Sequence, residues 1–201
     1  MGNVLVFFCH ERMCRQIGEL CGRSPHAVRE CLLDSSLQWE FERGLISEAQ
    51  LLSRLEEVLE CRFNLTDLVR ATADIFELNA SLPPVLQTLK QQGLRLVLLS
   101  NTCLSHVNFI RQKWDFLDLF DHLILSYEVK AVKPEDAIFL AALKEIRCRP
   151  EECLYVDDIA TYLDQGRRYG LQAEVFTTTA AFVEKLSEYG VRLAAAPHKN
   201  N

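Results

Sequence analysis

An α/β fold is predicted for this chain: a Rossmann-like parallel sheet with helices on both faces, plus a small helical-bundle cap inserted near the amino end. Three observations carry that expectation. Apolar residues recur at helical spacing from His10 to about Phe76 with no convincing strand. After Leu82-Pro83-Pro84 the pattern becomes short apolar runs alternating with helical segments, the signature of repeated β-α units with right-handed crossovers. Polar groups then stand at or just beyond the ends of such runs, in Leu98-Leu99-Ser100-Asn101, Lys133-Pro134 and Tyr155-Val156-Asp157-Asp158. A parallel sheet delivers side chains at those places into one crevice at its carboxyl edge.

The elements follow in order. Gly22 ends a first helix, and Ser24-Pro25 supplies an N-cap and a proline at N1 for a second that runs through Cys31 to Leu33. Ser47-Glu48-Ala49-Gln50 is a capping box ahead of the stripe Leu51, Leu52, Leu55, Val58, Leu59. Asn64 or Thr66 caps a fourth helix carrying Leu68, Val69, Ala73 and Ile75. Beyond the prolines, a helix through Val85, Leu86 and Leu89 is stopped by Gly93 and leads to a buried strand, Leu94 to Leu99. Helix 106–114 precedes strand 123–126, helix 135–146 precedes strand 154–157, and helix 161–169 precedes strand 173–176. A last helix spans about 180–189. The predicted organisation is a cap over 9–80, an α/β core from 1–8 and 81–193, and a disordered tail, 194–201.

Composition narrows the function classes. With 201 residues, 49% hydrophobic and 25% charged, the chain can bury one substantial core. Its net charge of −6, with Lys and Arg scattered among acids, argues against nucleic-acid and other polyanion partners. No apolar stretch approaches the roughly 20 residues of a membrane span, and Val4 to Cys9 is too short for a signal segment. The eight cysteines form no CxxC pair, and no histidine joins Cys14 and Cys21 at zinc spacing, so buried thiols in a reducing compartment are expected. The chain is read as cytoplasmic.

A hydroxyl, an ammonium and two carboxylates converging on one crevice point to a phosphate and divalent-metal site. Each residue has a plainer reading: Ser100 as a turn former, Lys133 as part of a surface turn opening a helix, Asp158 as a helix N-cap. Lys130 competes with Lys133. His10, His26 and His106 read as ordinary surface or helix residues.

From Gly2 to about Phe176 the sequence resembles the haloacid dehalogenase-like hydrolases (HAD-like), in the branch of bacterial sugar-phosphate phosphatases and the amino-terminal phosphatase domain of soluble epoxide hydrolase. The resemblance rests on Val97-Leu98-Leu99-Ser100-Asn101-Thr102, Phe116-Leu117-Asp118-Leu119-Phe120-Asp121, Ser126-Tyr127-Glu128-Val129, Val132-Lys133-Pro134-Glu135 and Val156-Asp157-Asp158. It implies a Mg²⁺-dependent phosphatase of a small phosphorylated metabolite. Ser100 would donate to the phosphate with the Asn101 amide beside it, Lys133 would clamp charge, and Asp157 would bind Mg²⁺ with Asp158 binding the metal or its waters. Tyr162 stands where relatives often have Asn, and Ile159 where many have Arg.

The pattern breaks at the start. Family members open on a strand and Asp-x-Gly-Asn-Val, the Asp being the nucleophile, whereas the first aspartate here is Asp34. Gly2-Asn3-Val4 matches the end of that motif, which places Met1 one position after the nucleophile and leaves Gly2 only its carbonyl for the metal. In this register the nucleophile and first strand would lie before the chain begins, through truncation or an evolved loss. A second register makes Val4 to Phe8 the first strand, with Phe8 in place of the nucleophile and His10 in place of the acid/base. Losing a central strand of about five buried apolar side chains would forfeit about 10 kcal/mol. Three expectations therefore stand: a catalytically disabled phosphatase, a non-catalytic phosphate- or metal-binding pseudoenzyme, and an interaction protein using the cap, for which a homodimer is open. Dehalogenation is disfavoured, since it needs the same aspartate.

Overall fold

Local signals fix the first half of the molecule, whose computed structural model describes residues 1–193; the tail expected over 194–201 lies outside them. Helix α1 (His10–Cys21) ends on Gly22, whose φ of 68° favours a residue without a side chain. Helix α2 (Pro25–Leu32) starts with the Ala27 amide donating to the Ser24 hydroxyl oxygen. Helix α4 (Glu48–Leu59) carries the full Ser47/Gln50 capping box, and Asn64 caps α5 (Leu65–Ala73) by accepting from the amides of Thr66 and Asp67. A short helix α3 (Leu37–Glu42) was not foreseen, because six residues give too little periodicity to read. These five helices pack α1 on α2 and α5, and α4 on α2 and α5, around Ile17, Val28, Leu55 and Leu68.

Two corrections concern the ends of this bundle. Ile75 is not helical: α5 stops at Ala73 and the chain turns into strand β2 (Phe76–Leu78). That strand pairs antiparallel with β1 (Val6–Phe8), Val6 opposite Leu78 and Phe8 opposite Phe76. Asn79 fastens the ribbon, its side chain donating to the Val4 carbonyl at 2.8 Å and its amide to the Leu5 carbonyl at 3.0 Å. Val4 to Phe8 thus joins no parallel sheet, and the register that made it the first core strand is overturned. Chain entry and exit lie side by side, so pairing them satisfies backbone groups locally. Phe7 and Phe8 stay exposed as a result.

The second half alternates as expected, with boundaries shifted by one to three residues. Helix α6 (Pro83–Gln91) ends at Gly93, φ 81°, before β3 (Val97–Ser100). Leu94 to Leu96 precede the strand rather than belonging to it. Then follow α7 (Leu104–Lys113), β4 (His122–Leu125), α8 (Ser126–Val129), α9 (Asp136–Glu145), β5 (Leu154–Asp157), α10 (Ala160–Arg168), β6 (Gln172–Val175) and α11 (Thr179–Glu188). Strands β3 and β4 pair parallel, as do β5 and β6, but no ladder joins β3 to β5 among the described residues. Accordingly Val97, Leu99, Leu154, Tyr155 and Val156 are only half-buried, where a central strand would cover them.

Helices cover both faces. On one side α6, α7 and α11 bury Leu86, Leu89, Val107, Ile110 and Leu186 in a core continuous with the helical bundle. On the other, α9 buries Ile138, Phe139 and Ala142 against Ile124 and Leu171. Phe139 is fully buried, edge-on to Tyr155 at 5.7 Å and stacked with Tyr169 at 6.1 Å, contacts worth about 0.5–1.5 kcal/mol each beyond area burial.

Candidate active site

Strands β3 and β5 bring Ser100 and Asp157 to the same edge, and the turn after α8 carries Lys133 between them. The Lys133 ammonium donates to Asp157 Oδ2 at 2.5 Å, with both side chains only 5% exposed. Lys133 is thus no surface-turn residue. Its competitor Lys130 turns away, φ 63°, and donates to the Gly44 carbonyl at 2.6 Å in the bundle.

Asp157 is densely bonded. Tyr155, two residues earlier on the same strand face, donates its hydroxyl to Oδ2 at 2.8 Å, and the Ile159 amide donates to Oδ1 at 3.1 Å. Burial pushes the Asp157 carboxyl upward, but the Lys133 ammonium and the hydrogen bonds from Lys133 and Tyr155 outweigh it, so the group ends below its ordinary value. Burial and the same carboxylate push the Tyr155 phenol well up. Because Asp157 takes the Ile159 amide, Asp158 is not the N-cap of α10; its Oδ2 instead accepts from the Asn3 side chain at 3.1 Å.

Ser100 is buried and its hydroxyl donates to the Asn101 carbonyl at 3.1 Å. The Asn101 amide brackets Lys133, accepting from its N–H at 2.7 Å and donating to its carbonyl at 3.2 Å. Asn101 therefore holds the backbone that aims the lysine. Tyr162 completes this wall: its ring lies 4.9 Å from the Lys133 ammonium and its hydroxyl 3.5 Å from the Asn101 amide nitrogen. Gly2 sits beside Asn3 and bridges to Val6, so the amino end of the chain reaches the crevice next to Asp158. The structure links Asn101, Lys133 and Asp157 by hydrogen bonds, sets Ser100 beside them through Asn101, and brings Asp158 and the chain start at Gly2 together through Asn3.

Magnesium requires hard oxygen donors with room for water. Both Asp157 oxygens already accept from donors, one of them a cation, and the described residues contain no group of three His, Cys, Asp or Glu able to hold a metal. The donors present do not make a Mg²⁺ site by themselves. Cys103 offers no nucleophile, since burial pushes its thiol up to about 12.

Several residues went unread in the sequence. Ser126 is fully buried, accepts from the Thr102 amide at 2.9 Å and has its hydroxyl 2.7 Å from the Glu42 carbonyl, joining the bundle to β3. Tyr155 could have been found by its two-residue spacing from Asp157. His106, a helix residue of α7 as expected, is half-buried: its Nε2 lies 3.1 Å from the Thr72 carbonyl and its ring stands edge-on to Phe76 at 5.0 Å. Burial pushes it below its ordinary value.

Comparison with known proteins agrees with this architecture. A family model described as haloacid dehalogenase-like hydrolase matches residues 31–170. Among sequence relatives, the drimenol cyclase drtB of Aspergillus calidoustus is 28% identical over 149 residues, covering 72% of this chain and 28% of the cyclase. Phosphatase MT3486 of Mycobacterium tuberculosis is 28% identical over 118 residues, covering 56% and 54% respectively. The chain thus spans about half, or less, of the length of these relatives. Among solved structures, a HAD family enzyme, bt-2542, of Bacteroides thetaiotaomicron superposes with a TM-score of 0.81 at 21% identity, covering 92% of this chain and 95% of the enzyme. Its complex with magnesium and inorganic phosphate gives 0.79, at 21% identity and 89% and 92% coverage. With the family matched over more than half of its length, this chain belongs to the haloacid dehalogenase-like hydrolases.

Proposed function

We propose that this chain is the phosphate-recognising body of a phosphatase for a small phosphorylated metabolite, and that by itself it binds its ligand without turning it over. The observation that carries the reading is a lysine ammonium held buried at the strand ends against Asp157. An anion entering there meets a fixed cation, the Ser100 hydroxyl and a backbone braced by Asn101. Such preorganised charge is what phosphoryl transfer asks of a protein, apart from the nucleophile. The reading assigns this chain phosphate binding and no covalent phospho-enzyme.

The Bacteroides relative crystallised with magnesium and phosphate supports Mg²⁺ as the family's ion. Here Asp157, Asp158 and the Gly2 carbonyl form an incomplete set, and binding of Mg²⁺ is weak. We assign residues 9–80 as a cap over the crevice, and the eight unbridged cysteines fit a reducing cytoplasm. Partners are small anionic metabolites rather than nucleic acid or membrane; among the described residues no helix is long and apolar enough to cross a membrane.

Titration with inorganic phosphate followed by ³¹P NMR, beside a phosphate-release assay on p-nitrophenyl phosphate, tests the reading. Saturable binding without release is expected, lost in Lys133→Met and weakened in Ser100→Ala. Turnover would overturn the disabled state. Absence of binding would overturn the phosphate site and leave the interaction-protein reading, with light scattering then reporting whether the chain dimerises.

A further inference from the structure

Three successive residues of the bundle, Glu42, Arg43 and Gly44, are each fastened to one stretch of the core, 126–135, which carries Lys133. The Glu42 carbonyl lies 2.7 Å from the Ser126 hydroxyl, the Arg43 guanidinium pairs with Glu135, and the Gly44 carbonyl accepts from the Lys130 ammonium at 2.6 Å. Gly44 approaches closely, at φ 62°: a side-chain carbon there would collide with the Tyr127 carbonyl and the Lys130 ammonium. Of the three, only Arg43 acts through its side chain.

Glu135 passes that contact on. It stands at the N-cap of α9, yet its carboxylate makes no capping bond to that helix. Oε1 instead takes the Arg43 guanidinium, Oε2 accepts from the Val132 amide at 3.2 Å, and the Glu135 amide donates to the Val132 carbonyl at 2.8 Å. The turn 132–135 is thereby closed on itself, with Lys133 inside it. Lys133 in turn donates its amide to the Asn101 side chain at 2.7 Å and its ammonium to Asp157 at 2.5 Å. A continuous run of polar contacts therefore joins Arg43 to the crevice.

Energetics separate a positioning role from a stabilising one. The Arg43 and Glu135 side chains are 37% and 40% exposed, and ion pairs so solvated contribute little to stability. The Arg43 Nε is nevertheless enclosed without an acceptor, a donor that water would satisfy if the side chain swung free. The guanidinium is thus fixed against the protein, with Glu135 as its partner.

We infer that Arg43 is a positioning residue for Lys133: acting through Glu135, it fixes the turn that aims the ammonium, so docking of the bundle sets how tightly the crevice holds phosphate. The last step rests on the phosphate reading above. Coulomb's law by itself predicts another pattern, in which losing the Arg43 charge weakens anion binding and losing the Glu135 charge strengthens it. Positioning predicts that both losses weaken it, because a glutamine has one carbonyl oxygen for two donors.

The test follows inorganic phosphate by ³¹P NMR, and amide hydrogen exchange at Val132 and Lys133, in the whole chain and in Arg43→Met, Glu135→Gln and Arg54→Met. Arg54 pairs with Glu40 on α3 rather than with the turn, so its variant reports the loss of an ion pair alone. Arg43→Met and Glu135→Gln are each expected to raise the phosphate Kd about fivefold and to speed exchange at both amides, while Arg54→Met changes neither. Glu135→Gln binding phosphate as tightly as the unsubstituted chain, or tighter, would overturn the inference, as would exchange at Lys133 no faster in Arg43→Met than in Arg54→Met. If the unsubstituted chain binds no phosphate, the phosphate reading fails, and the exchange comparison alone decides whether Arg43 positions Lys133.

Discussion

Asp157 is a buried acid and Glu42 a half-buried one, and the protein treats them oppositely. Asp157 is given a lysine, a phenol and a backbone amide, and its carboxyl falls below the ordinary value. Glu42 is given one glutamine and a neutral imidazole nearby, and its carboxyl rises. The first carboxylate is offset within the fold by Lys133. The second keeps most of the cost of its partial burial. The contrast separates an acid that holds the crevice's cation in place from one that the fold leaves with a single neutral hydrogen bond.

The largest effect should come from breaking the satisfied side. Lys133→Met removes the cation and leaves Asp157 buried among neutral donors, which costs about 3–5 kcal/mol in urea unfolding. In the double variant Lys133→Met/Asp157→Leu the loss should be much smaller, because no orphan charge remains; a Lys133→Met loss under about 1 kcal/mol would mean that the pair is solvated.

Acid titration sharpens the same contrast. The folded Asp157 carboxyl lies below its ordinary 3.8, so its contribution to stability is complete above that value and is lost as pH falls through the depressed folded one. Unfolding midpoints should therefore drop steeply below about pH 4, and Asp157→Asn should flatten that limb.

The smallest effect belongs to Glu42 and has the reverse sign. Its folded carboxyl lies above the ordinary 4.5, so the folded state holds the proton more tightly, and stability declines as pH rises from there through the folded value. Glu42→Gln should then stabilise the chain at pH 7 by about 1 kcal/mol, a rise of about 2–4 °C in Tm that vanishes toward pH 4. A destabilised Glu42→Gln at pH 7 would mean that Glu42 has a cation in solution and belongs with Asp157.

Much of this was legible in the residues because the signals are short-range. The Ser47/Gln50 box, the Ser24-Pro25 start, Gly22 and Gly93 each act within a turn of the helix they bound, so the chain alone sets those boundaries. Alternation of apolar runs placed the β-α units for the same reason, and polar residues at strand ends marked where Ser100, Lys133 and Asp157 would stand. Only the tertiary structure decided what these groups touch. Asn101 braces Lys133 across 32 residues, Asn3 reaches Asp158 across 155, and Val6 to Phe8 pairs with the far end of the bundle instead of entering a parallel sheet. Glu42 carries no signal in the sequence, and neither does the short helix that it ends. That no lysine or arginine among the described residues pairs with Glu42 depends on where distant elements place their charges, and Coulombic partnership is settled by spatial distance that local periodicity does not encode.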